Sequence, residues 1–238
     1  MKEIIGRVDD IDMLQRILNT TRGFLFDFDG PICSIFANLS ASYVAHQLRS
    51  VLMRCGHKVL PQEVSTSDDP FDVLRYARLL GMEEFHEVEQ ALTECEVAAS
   101  ETATPTAGAE KLIESLAARH FDLAIVSNNS ADAIRSYMNR HGLVKAFKCI
   151  TGREGGPENL KPAPTPILKA MHDIGRLPHS CLLIGDSASD MVAAKKASSL
   201  ALGYANKPHK AQTLFQAGAD AVVTQLESVQ RALDSSII

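Results

Sequence analysis

Phe24-Leu25-Phe26-Asp27-Phe28-Asp29-Gly30 is the stretch of sequence that indicates the fold most clearly. This short apolar, aromatic run stops at a Gly-Pro pair, which is typical of a buried strand followed by a turn. Side chains two apart on a strand point to the same face, so we expect Asp27 and Asp29 to face one ligand where the strand ends. Phe28, between them, is expected to point into the core.

Beyond Pro105, predicted strands and helices alternate to the end of the chain. Apolar runs predict strands over 122–127, 147–151, 181–184, 200–204 and 220–224. Helical periodicity predicts helices over 108–120, 131–141, 164–174, 188–197 and 207–218. This alternation indicates an α/β fold with a parallel sheet and helices on both faces, and the continuous apolar strands fit burial on both sides. A helix over 9–20, capped by Asp9 or Asp10, precedes the first strand.

The segment from Cys33 to Glu101 has a different pattern, with no convincing β-branched strand run. Its apolar residues recur at helical spacing over 37–56, 71–81 and 83–100, and Pro61 and the polar stretch 65–70 interrupt them. We interpret the segment as a helical insertion. The predicted domains are a core made of residues 1–32 and 103–238 and an inserted helical domain over 33–102.

Composition and charge exclude several classes of protein. The chain has 238 residues, of which 45% are hydrophobic and 22% charged, which argues against disorder and suits one domain carrying an insertion. Lys and Arg number 24 against 29 Asp and Glu, so no basic excess indicates a nucleic-acid partner. No apolar run reaches the length of a membrane helix, and acidic residues stand where a signal peptide would be apolar, so we expect no membrane partner and a cytoplasmic location. The five widely spaced cysteines match no metal or disulfide pattern and are expected to be ordinary buried thiols.

Polar side chains follow three of the predicted strands at their carboxyl ends, where ligands bind in an open parallel sheet. A lysine at the start of a later helix joins them. The candidate site residues are Asp27, Asp29, Ser127, Asn128, Lys161, Asp186 and Asp190. Clustered carboxylates raise one another's pKa unless a cation compensates them, and Mg²⁺ is a hard ion that carboxylates and a substrate phosphate bind. The set therefore suits a divalent cation together with a phosphate.

Each of these residues has a simpler interpretation when it is taken alone. Ser127 and the backbone N–H groups after it can hold phosphate oxygens near a helix N-terminus, but a serine there can also cap the helix. Lys161 can supply positive charge to a phosphoryl group and its nucleophile, whereas an isolated lysine is usually solvated. Asp190, one helical turn after Asp186, can face the same ion or charge the first turn of a helix. The ordered set, with each residue at the correct end of its element, favours a functional site.

Four short motifs carry a resemblance to a known family. They are FLFDFDGPI at 24–32, AIVSN at 124–128, KPAP at 161–164 and IGDSASD at 184–190. This set resembles the haloacid dehalogenase-like hydrolase superfamily, particularly its phosphoglycolate-phosphatase-like and phosphomutase-like branch, over residues 22–32 and 104–225. The resemblance implies a Rossmann-like core and a mobile helical cap between the first two motifs.

The resemblance also implies a role for each matching residue. Asp27 is implied to be the nucleophile that forms an aspartyl-phosphate, and Asp29 to protonate the leaving alcohol and then activate water. The implied neighbours of Mg²⁺ are Asp27, the backbone carbonyl of Asp29, Asp186 and, close by or through water, Asp190. The residues implied to hold the phosphoryl group are Ser127 and Lys161.

These observations predict a Mg²⁺-dependent phosphatase that acts on a small phosphorylated metabolite. A phosphomutase, which would return the phosphoryl group to another hydroxyl of the substrate, needs the same core residues and stays open. A non-catalytic binding or regulatory protein on the same fold is a second alternative, and a phosphonate hydrolase that uses Lys58 is a weaker third. Asp29 disfavours dehalogenation, and the absence of membrane helices disfavours a transport ATPase. The oligomeric state stays open.

The sequence departs from the family pattern at two places. Pro31, which has no N–H, stands where many relatives have Thr or Val, and Ala-Ser-Ser at 197–199 replaces an Ala-Gly pair. The second change looks structural. The candidate substrate contacts in the helical insertion are Arg49, Arg54, His57 and Lys58, although charged residues on such segments are usually solvated.

Overall fold

A parallel sheet forms the centre of the computed structural model, which describes residues 7–235. The strands are, in chain order, β1 (Gly23–Phe26), β2 (Cys33–Ser34), β3 (Thr104–Pro105), β4 (Asp122–Val126), β5 (Cys149–Thr151), β6 (Cys181–Gly185), β7 (Leu200–Tyr204) and β8 (Ala221–Val223). The helices are α1 (Ile11–Thr20), α2 (Ala41–Arg54), α3 (Gln62–Ser65), α4 (Pro70–Leu80), α5 (Met82–Ser100), α6 (Ala109–Ala118), α7 (Ala131–Arg140), α8 (Thr165–Asp173), α9 (Ala188–Lys196), α10 (Lys210–Gln216) and α11 (Leu226–Ser235). The sheet has the order β5-β4-β1-β6-β7-β8, and each neighbouring pair is parallel. This confirms the predicted α/β, Rossmann-like fold.

β1 lies in the middle of the sheet, between β4 and β6. Gly23 is paired with Asp122 on one side and with Cys181 on the other, so the three strands run in register. All four residues of β1 are buried. The loops that follow these three strands consequently leave the sheet at one edge, which is where ligands bind in parallel α/β sheets.

Separate apolar cores cover the two faces of the sheet. Phe24 and Phe26 pack in one core with Tyr137, whereas Leu25 packs in the other with Met191. Successive side chains of a strand point to opposite faces, so a fully apolar strand needs a core on each side. Burial of each of these side chains contributes roughly 1.5–3 kcal/mol. The predicted burial on both faces is confirmed.

Helices α2 to α5 form a helical layer with a core of its own. Leu48, Val73 and Leu92 are completely buried there. The short antiparallel pair β2–β3 joins the chain that enters this layer to the chain that leaves it, with Cys33 opposite Pro105. The expectation that the segment from Cys33 contains no strand is therefore wrong for Cys33 and Ser34. These two residues pair with Thr104 and Pro105, about 70 residues later, and a local sequence pattern does not reveal such a pairing. The domain boundaries at residues 33 and 102 stay a prediction.

Some elements begin later than the sequence predicts. α1 begins at Ile11, because the Asp10 carboxylate accepts a hydrogen bond from the Met13 N–H at 3.1 Å and caps the helix. β5 begins at Cys149, because residues 144–146 form a 3-10 turn. The caps and turns that set these ends are local, so the predicted order of elements is unaffected.

The five cysteines differ in exposure. Cys33 and Cys181 are buried, Cys95 and Cys149 are half-buried, and Cys55 is exposed. The prediction of buried thiols is wrong for Cys55, because the chain at the end of α2 faces solvent over residues 53–56. Within residues 7–235, none of the helices combines the length and the apolar character that crossing a membrane requires.

Candidate active site

The loop that follows β1 carries Asp27 and Asp29. Asp27 is 7% exposed, and its Oδ1 accepts a hydrogen bond from the Phe28 N–H at 2.7 Å. Phe28 is fully buried and packs edge-on against Tyr137, with ring centroids 5.4 Å apart. The structure thus places Phe28 in the core, as predicted. β1 itself ends at Phe26, so both aspartates lie beyond the strand rather than on it.

Contacts from the chain around the insertion hold Asp29 and Gly30. Asp29 Oδ1 accepts a hydrogen bond from the Ile35 N–H at 3.0 Å, and Thr106 Oγ1 donates to the Gly30 carbonyl at 2.6 Å. Gly30 has a φ of 108°, and a Cβ at this position would lie 2.4 Å from Cγ of Asp186. Glycine is therefore required both by the backbone conformation and by the close approach of Asp186.

Lys161 is buried between two of the candidate carboxylates. Its Nζ lies 2.9 Å from Asp27 Oδ1 and 2.5 Å from Asp190 Oδ1, and it donates to the Val126 carbonyl at 3.1 Å. The side chain is only 2% exposed. An ammonium group has three donors, and each of these donors has an acceptor here. The structure therefore excludes the simpler interpretation of Lys161 as a solvated lysine.

Asp190 belongs to the first turn of α9 and is completely buried. Ser187 is the N-cap of this helix and forms a capping box with Asp190, in which the Ser187 hydroxyl and N–H donate to Asp190 Oδ2 at 2.5 and 3.0 Å. The other oxygen, Oδ1, accepts the hydrogen bond from Lys161. Both carboxylate oxygens of Asp190 are thus engaged, so it caps the helix and also orients Lys161.

Asp186 completes a group of three carboxylates. One oxygen each of Asp27, Asp186 and Asp190 lie within 4.8 Å of one another. Asp186 also forms an ion pair with Lys210 and accepts a hydrogen bond from the Asn206 amide at 3.0 Å. Carboxylate oxygens are the hard donors that Mg²⁺ prefers.

Burial raises the pKa values of the two aspartates that follow β1. Loss of solvent, and then the charge of Asp190, raise the pKa of Asp27 to about 8, although Lys161 opposes the rise. Burial, together with the charge of Asp186, raises the pKa of Asp29 to about 6, although a backbone N–H opposes it. Burial alone would lower the pKa of Lys161, but Asp190 and Asp27 raise it above its usual value. Burial thus disfavours the charged forms of Asp27 and Asp29, and a divalent cation beside them would compensate for this burial.

The loop that follows β4 carries Ser127 and Asn128. Ser127 is buried, and its Oγ donates to Asn129 Oδ1 at 3.2 Å. The Asn128 amide holds the backbone of Lys161, since Oδ1 accepts from the Lys161 N–H at 2.9 Å and Nδ2 donates to its carbonyl at 3.3 Å. A contact from Asn128 to a phosphoryl group would therefore come from its backbone N–H. Ser130, rather than Ser127, is the N-cap of α7.

A buried ion pair that the sequence patterns did not predict lies next to this loop. The Arg153 and Glu96 side chains are 1% and 0% exposed, and Arg153 Nη1 lies 2.8 Å from Glu96 Oε1. No strand or helix was predicted over residues 152–160. A signal does exist in α5, where Glu96 follows Val88 and Leu92 at four-residue spacing in the buried stripe of the helix. A glutamate in such a stripe needs a partner, because an unpaired buried charge is costly.

Two of the four residues of the insertion that were predicted to contact substrate have partners within the insertion, and the other two are exposed. Arg49 donates to the Ser67 carbonyl at 2.6 Å, and His57 Nε2 lies 2.9 Å from Glu84 Oε1, both within the helical layer. The two that are exposed are Arg54 and Lys58. Contact of any of the four with substrate stays a prediction.

Together, the fold and the geometry of the site define a class of protein, a Rossmann-like α/β protein with carboxylates and a buried lysine at the carboxyl edge of its sheet. Residues 24–202 match the haloacid dehalogenase-like hydrolase family, and the chain belongs to this family. This match, together with relatives that are phosphoglycolate phosphatases, identifies the chain as a phosphoric monoester hydrolase.

Six relatives are named phosphoglycolate phosphatases, among them the following two. The protein from Aquifex aeolicus is 34% identical over 85 residues, which cover 36% of this chain and only 39% of that relative. The protein from Neisseria gonorrhoeae is 28% identical over 189 residues, which cover 75% of this chain and 77% of that relative.

Solved structures show the same fold. A hydrolase from Pseudomonas syringae has a TM-score of 0.66 at 20% identity and covers 90% of this chain and 98% of its own. CbbY from Rhodobacter sphaeroides, solved in complex with phosphate, has a TM-score of 0.67 at 19% identity and covers 90% of this chain and 99% of its own. At such identities the likeness concerns the fold alone.

Proposed function

We propose that the protein is a Mg²⁺-dependent phosphatase that hydrolyses a small phosphomonoester metabolite through an aspartyl-phosphate on Asp27. The observation that carries this proposal is the buried amine of Lys161, 2.9 Å from Asp27 and 2.5 Å from Asp190, beside the carboxylate of Asp186. A fixed positive charge next to a carboxylate nucleophile offsets the repulsion from an anionic phosphoryl group. A serine loop at the same edge of the sheet can hold the phosphoryl oxygens.

The chemistry of the donor set supports Mg²⁺ as the cofactor. Asp27, Asp186 and the backbone carbonyl of Asp29 would hold the ion. Asp190, whose two oxygens are already bonded, would lie beside it and keep Lys161 and the start of α9 in place. When bound, Mg²⁺ supplies positive charge that reduces the repulsion between the carboxylate nucleophile and the phosphate.

The first chemical step would transfer the phosphoryl group to Asp27. A carboxylate oxygen of Asp27 bonds to phosphorus as the bond from phosphorus to the leaving oxygen breaks, and Asp29 gives its proton to that oxygen. The pKa of Asp29, raised to about 6 by burial, helps to keep this acid protonated closer to neutral pH than an exposed aspartate.

The second step would return Asp27 to its free form. Asp29, now a carboxylate, takes a proton from water as the water oxygen bonds to phosphorus and the bond from phosphorus to Asp27 breaks. Inorganic phosphate leaves. In both steps the backbone N–H of Asn128 would donate to a phosphoryl oxygen, and the charge of Lys161 would attract the group. The Ser127 hydroxyl would turn from Asn129 Oδ1 to donate to another phosphoryl oxygen.

The relatives support a small phosphomonoester as the substrate. Besides the phosphoglycolate phosphatases, they include a bifunctional riboflavin kinase/FMN phosphatase from Arabidopsis thaliana. A pyrophosphatase from Halalkalibacterium halodurans is also among them, and its name indicates an anhydride substrate, so pyrophosphate belongs in the assay as well. Phosphoglycolate is therefore the first ester to assay, ahead of larger phosphate esters. The cytoplasmic location and the absence of a nucleic-acid partner stay predictions.

The proposal is tested by phosphate release from a panel of phosphomonoesters, with Mg²⁺ or EDTA. We expect Mg²⁺-dependent release by the wild type and none by Asp27→Asn, which cannot form the acyl phosphate. Asp122→Asn is the matched control, because Asp122 is also buried but pairs with Arg176 at the opposite end of β4. This control should keep its activity at a temperature where it stays folded.

Two results would replace the proposal. No phosphate release from any ester by the wild type would overturn the phosphatase assignment. Isomerisation of a phosphorylated substrate without release, still abolished by Asp27→Asn, would identify a phosphomutase instead.

A further inference from the structure

We propose that the buried Glu96–Arg153 pair positions the two loops that hold the phosphoryl group, and that it acts on the reaction through Ser127 and Lys161 without touching the substrate. The inference rests on the proposed function, because it concerns the same site. The pair joins α5 of the helical layer to both loops of the core, so it lies where the two parts of the molecule meet.

Arg153 uses its whole guanidinium group in fixed contacts. Nη1 donates to Glu96 Oε1 and to the Asn128 carbonyl, both at 2.8 Å, and Nη2 donates to Glu96 Oε2 at 3.1 Å. Nε donates to Glu89 Oε2 at 2.7 Å. The guanidinium also lies over the ring of Phe71 in α4, 5.8 Å from its centroid. A planar guanidinium with this many partners fixes the orientation of the groups that it binds, whereas the compact ammonium group of a lysine does not.

Glu96 extends the network into the loop that carries Ser127. Its Oε2 accepts a hydrogen bond from the Ser130 N–H at 2.8 Å, and its Oε1 accepts one from the Asn129 amide at 3.1 Å. Asn129 in turn accepts the hydrogen bond from the Ser127 hydroxyl. A helix of the insertion therefore fixes both the backbone of this loop and the side chain that orients Ser127.

The pair reaches Lys161 through the same loop. Arg153 holds the Asn128 carbonyl, and the Asn128 side chain holds the backbone of Lys161 at its N–H and its carbonyl. The Arg153 N–H donates to the Asn129 carbonyl at 2.8 Å, which ties the two loops together. Leu160, the neighbour of Lys161, packs in the core of the helical layer.

Stability alone is a weak reason for a buried ion pair, because its desolvation is costly and apolar side chains often pack as well in its place. Unlike apolar packing, the hydrogen bonds of a charged pair fix the orientation of the groups that it binds. The orientation of these loops matters because they carry Ser127 and Lys161, and a displacement of about 1 Å in a catalytic group can cost about 100-fold in rate. We therefore assign Glu96 and Arg153 a positioning role.

Conservative variants of the pair provide the test. Arg153→Lys keeps the charge but loses the fork, Glu96→Gln keeps the shape but loses the charge, and the double variant combines them. The matched control is Arg176→Lys, which alters the pair of Arg176 with the buried Asp122 at the opposite edge of the sheet.

Three readouts separate positioning from a merely structural role. They are kcat and KM with the best ester of the wild type, unfolding in urea, and hydrogen exchange over residues 127–130 and 152–161. In folded Arg153→Lys and Glu96→Gln we expect kcat to fall by about tenfold or more with a smaller change in KM, and exchange to be faster in both loops. The double variant should be about as slow as the singles, because the two residues act as a unit. Arg176→Lys should keep the kcat and the loop exchange of the wild type.

Wild-type kcat in the folded variants, or losses of kcat that simply add in the double variant, would overturn the proposal. If Arg153→Lys does not fold, kcat and loop exchange in Glu96→Gln test the proposal instead. If the wild type releases no phosphate from any ester, the proposed function fails separately. Loop exchange still reports on the pair in that case, and unchanged exchange would overturn its positioning role.

Discussion

Asp27 carries a carboxylate that its surroundings disfavour when no cation is bound. Burial and the charge of Asp190 raise its pKa to about 8, and both carboxylates share the one amine of Lys161. Sites that perform chemistry commonly keep such groups at a cost in stability. Here the cost depends on protonation, so it depends on pH.

We predict that Asp27→Asn stabilises the metal-free protein at pH 8. In the wild type the folded-state pKa of about 8 lies above the ordinary value of 3.8, so the folded protein binds this proton more tightly than the unfolded chain does. The stability that Asp27 contributes is complete below about pH 4 and is lost as the pH rises through about 8. Asparagine cannot ionise and escapes this loss.

Thermal melts in EDTA check this prediction. The variant should melt above the wild type at about pH 8, and the difference should shrink at about pH 5. Each kcal/mol corresponds to about 2–4 °C in Tm for a chain of this length. A variant that melts below the wild type at both values would show that burial does not raise the pKa of Asp27.

Helix caps hold the loops that position the site. The N-cap of α9, Ser187, donates to Asp190 Oδ2, while Asp190 Oδ1 binds Lys161. One serine hydroxyl therefore stabilises a helix and orients a lysine through a single carboxylate. Ser40 caps α2 in the helical layer by accepting from the Tyr43 N–H at 3.2 Å, and its other partner is the Ser42 hydroxyl, 3.0 Å away, rather than a carboxylate of the site.

We predict that Ser187→Ala lowers both stability and activity, whereas Ser40→Ala lowers stability alone. Loss of a serine N-cap costs about 1 kcal/mol in either helix. Only Ser187→Ala also removes one of the two hydrogen bonds on Asp190 Oδ2 and leaves the backbone one, so it loosens Asp190 and, through Asp190, Lys161. Urea unfolding measures the first effect and kcat the second, and an equal kcat in the two variants would contradict the link between the cap and Lys161.

Local patterns explain how much of these elements could be predicted from sequence. The strands are continuous apolar runs, and the candidate residues stand at their ends, so the sheet and the motifs that carry Asp27 and Asp186 follow from short stretches. The burial of Lys161 and its contact with Asp190 could not be predicted, because they depend on loops far apart in the chain. The Glu96–Arg153 pair needs two such loops and a helix of the insertion. The local sequence signal for this pair is Glu96 itself, a glutamate among the apolar residues on the buried side of α5.

The helical layer and the core meet at the candidate site, so binding there is linked to the stability of the whole fold. Leu160 packs with the helical layer directly beside Lys161, and Arg153 binds both parts. A ligand that binds the folded site and not the unfolded chain raises the free energy of unfolding.

We predict that Mg²⁺ raises the Tm of the wild type and that Asp186→Asn removes most of this rise. The expected gain is about 2.7 kcal/mol at 100 times the dissociation constant. Asp220→Asn is the matched control, because Asp220 pairs with Lys195 just before β8, away from the carboxylate group. An equal rise in Tm for Asp186→Asn and the wild type would remove Asp186 from the ion's ligands.

The covalent phosphoryl-enzyme is the species that separates this chemistry from direct attack by water. The wild type would be mixed with Mg²⁺ and its best ester, quenched in acid during turnover and digested, and the peptide that contains Asp27 would be weighed by mass spectrometry. We expect the mass of one phosphoryl group on Asp27 in the wild type and in Asp122→Asn, and none in Asp27→Asn. Steady turnover with no phosphoryl group on that peptide, or with the group on another residue, would contradict catalysis through Asp27.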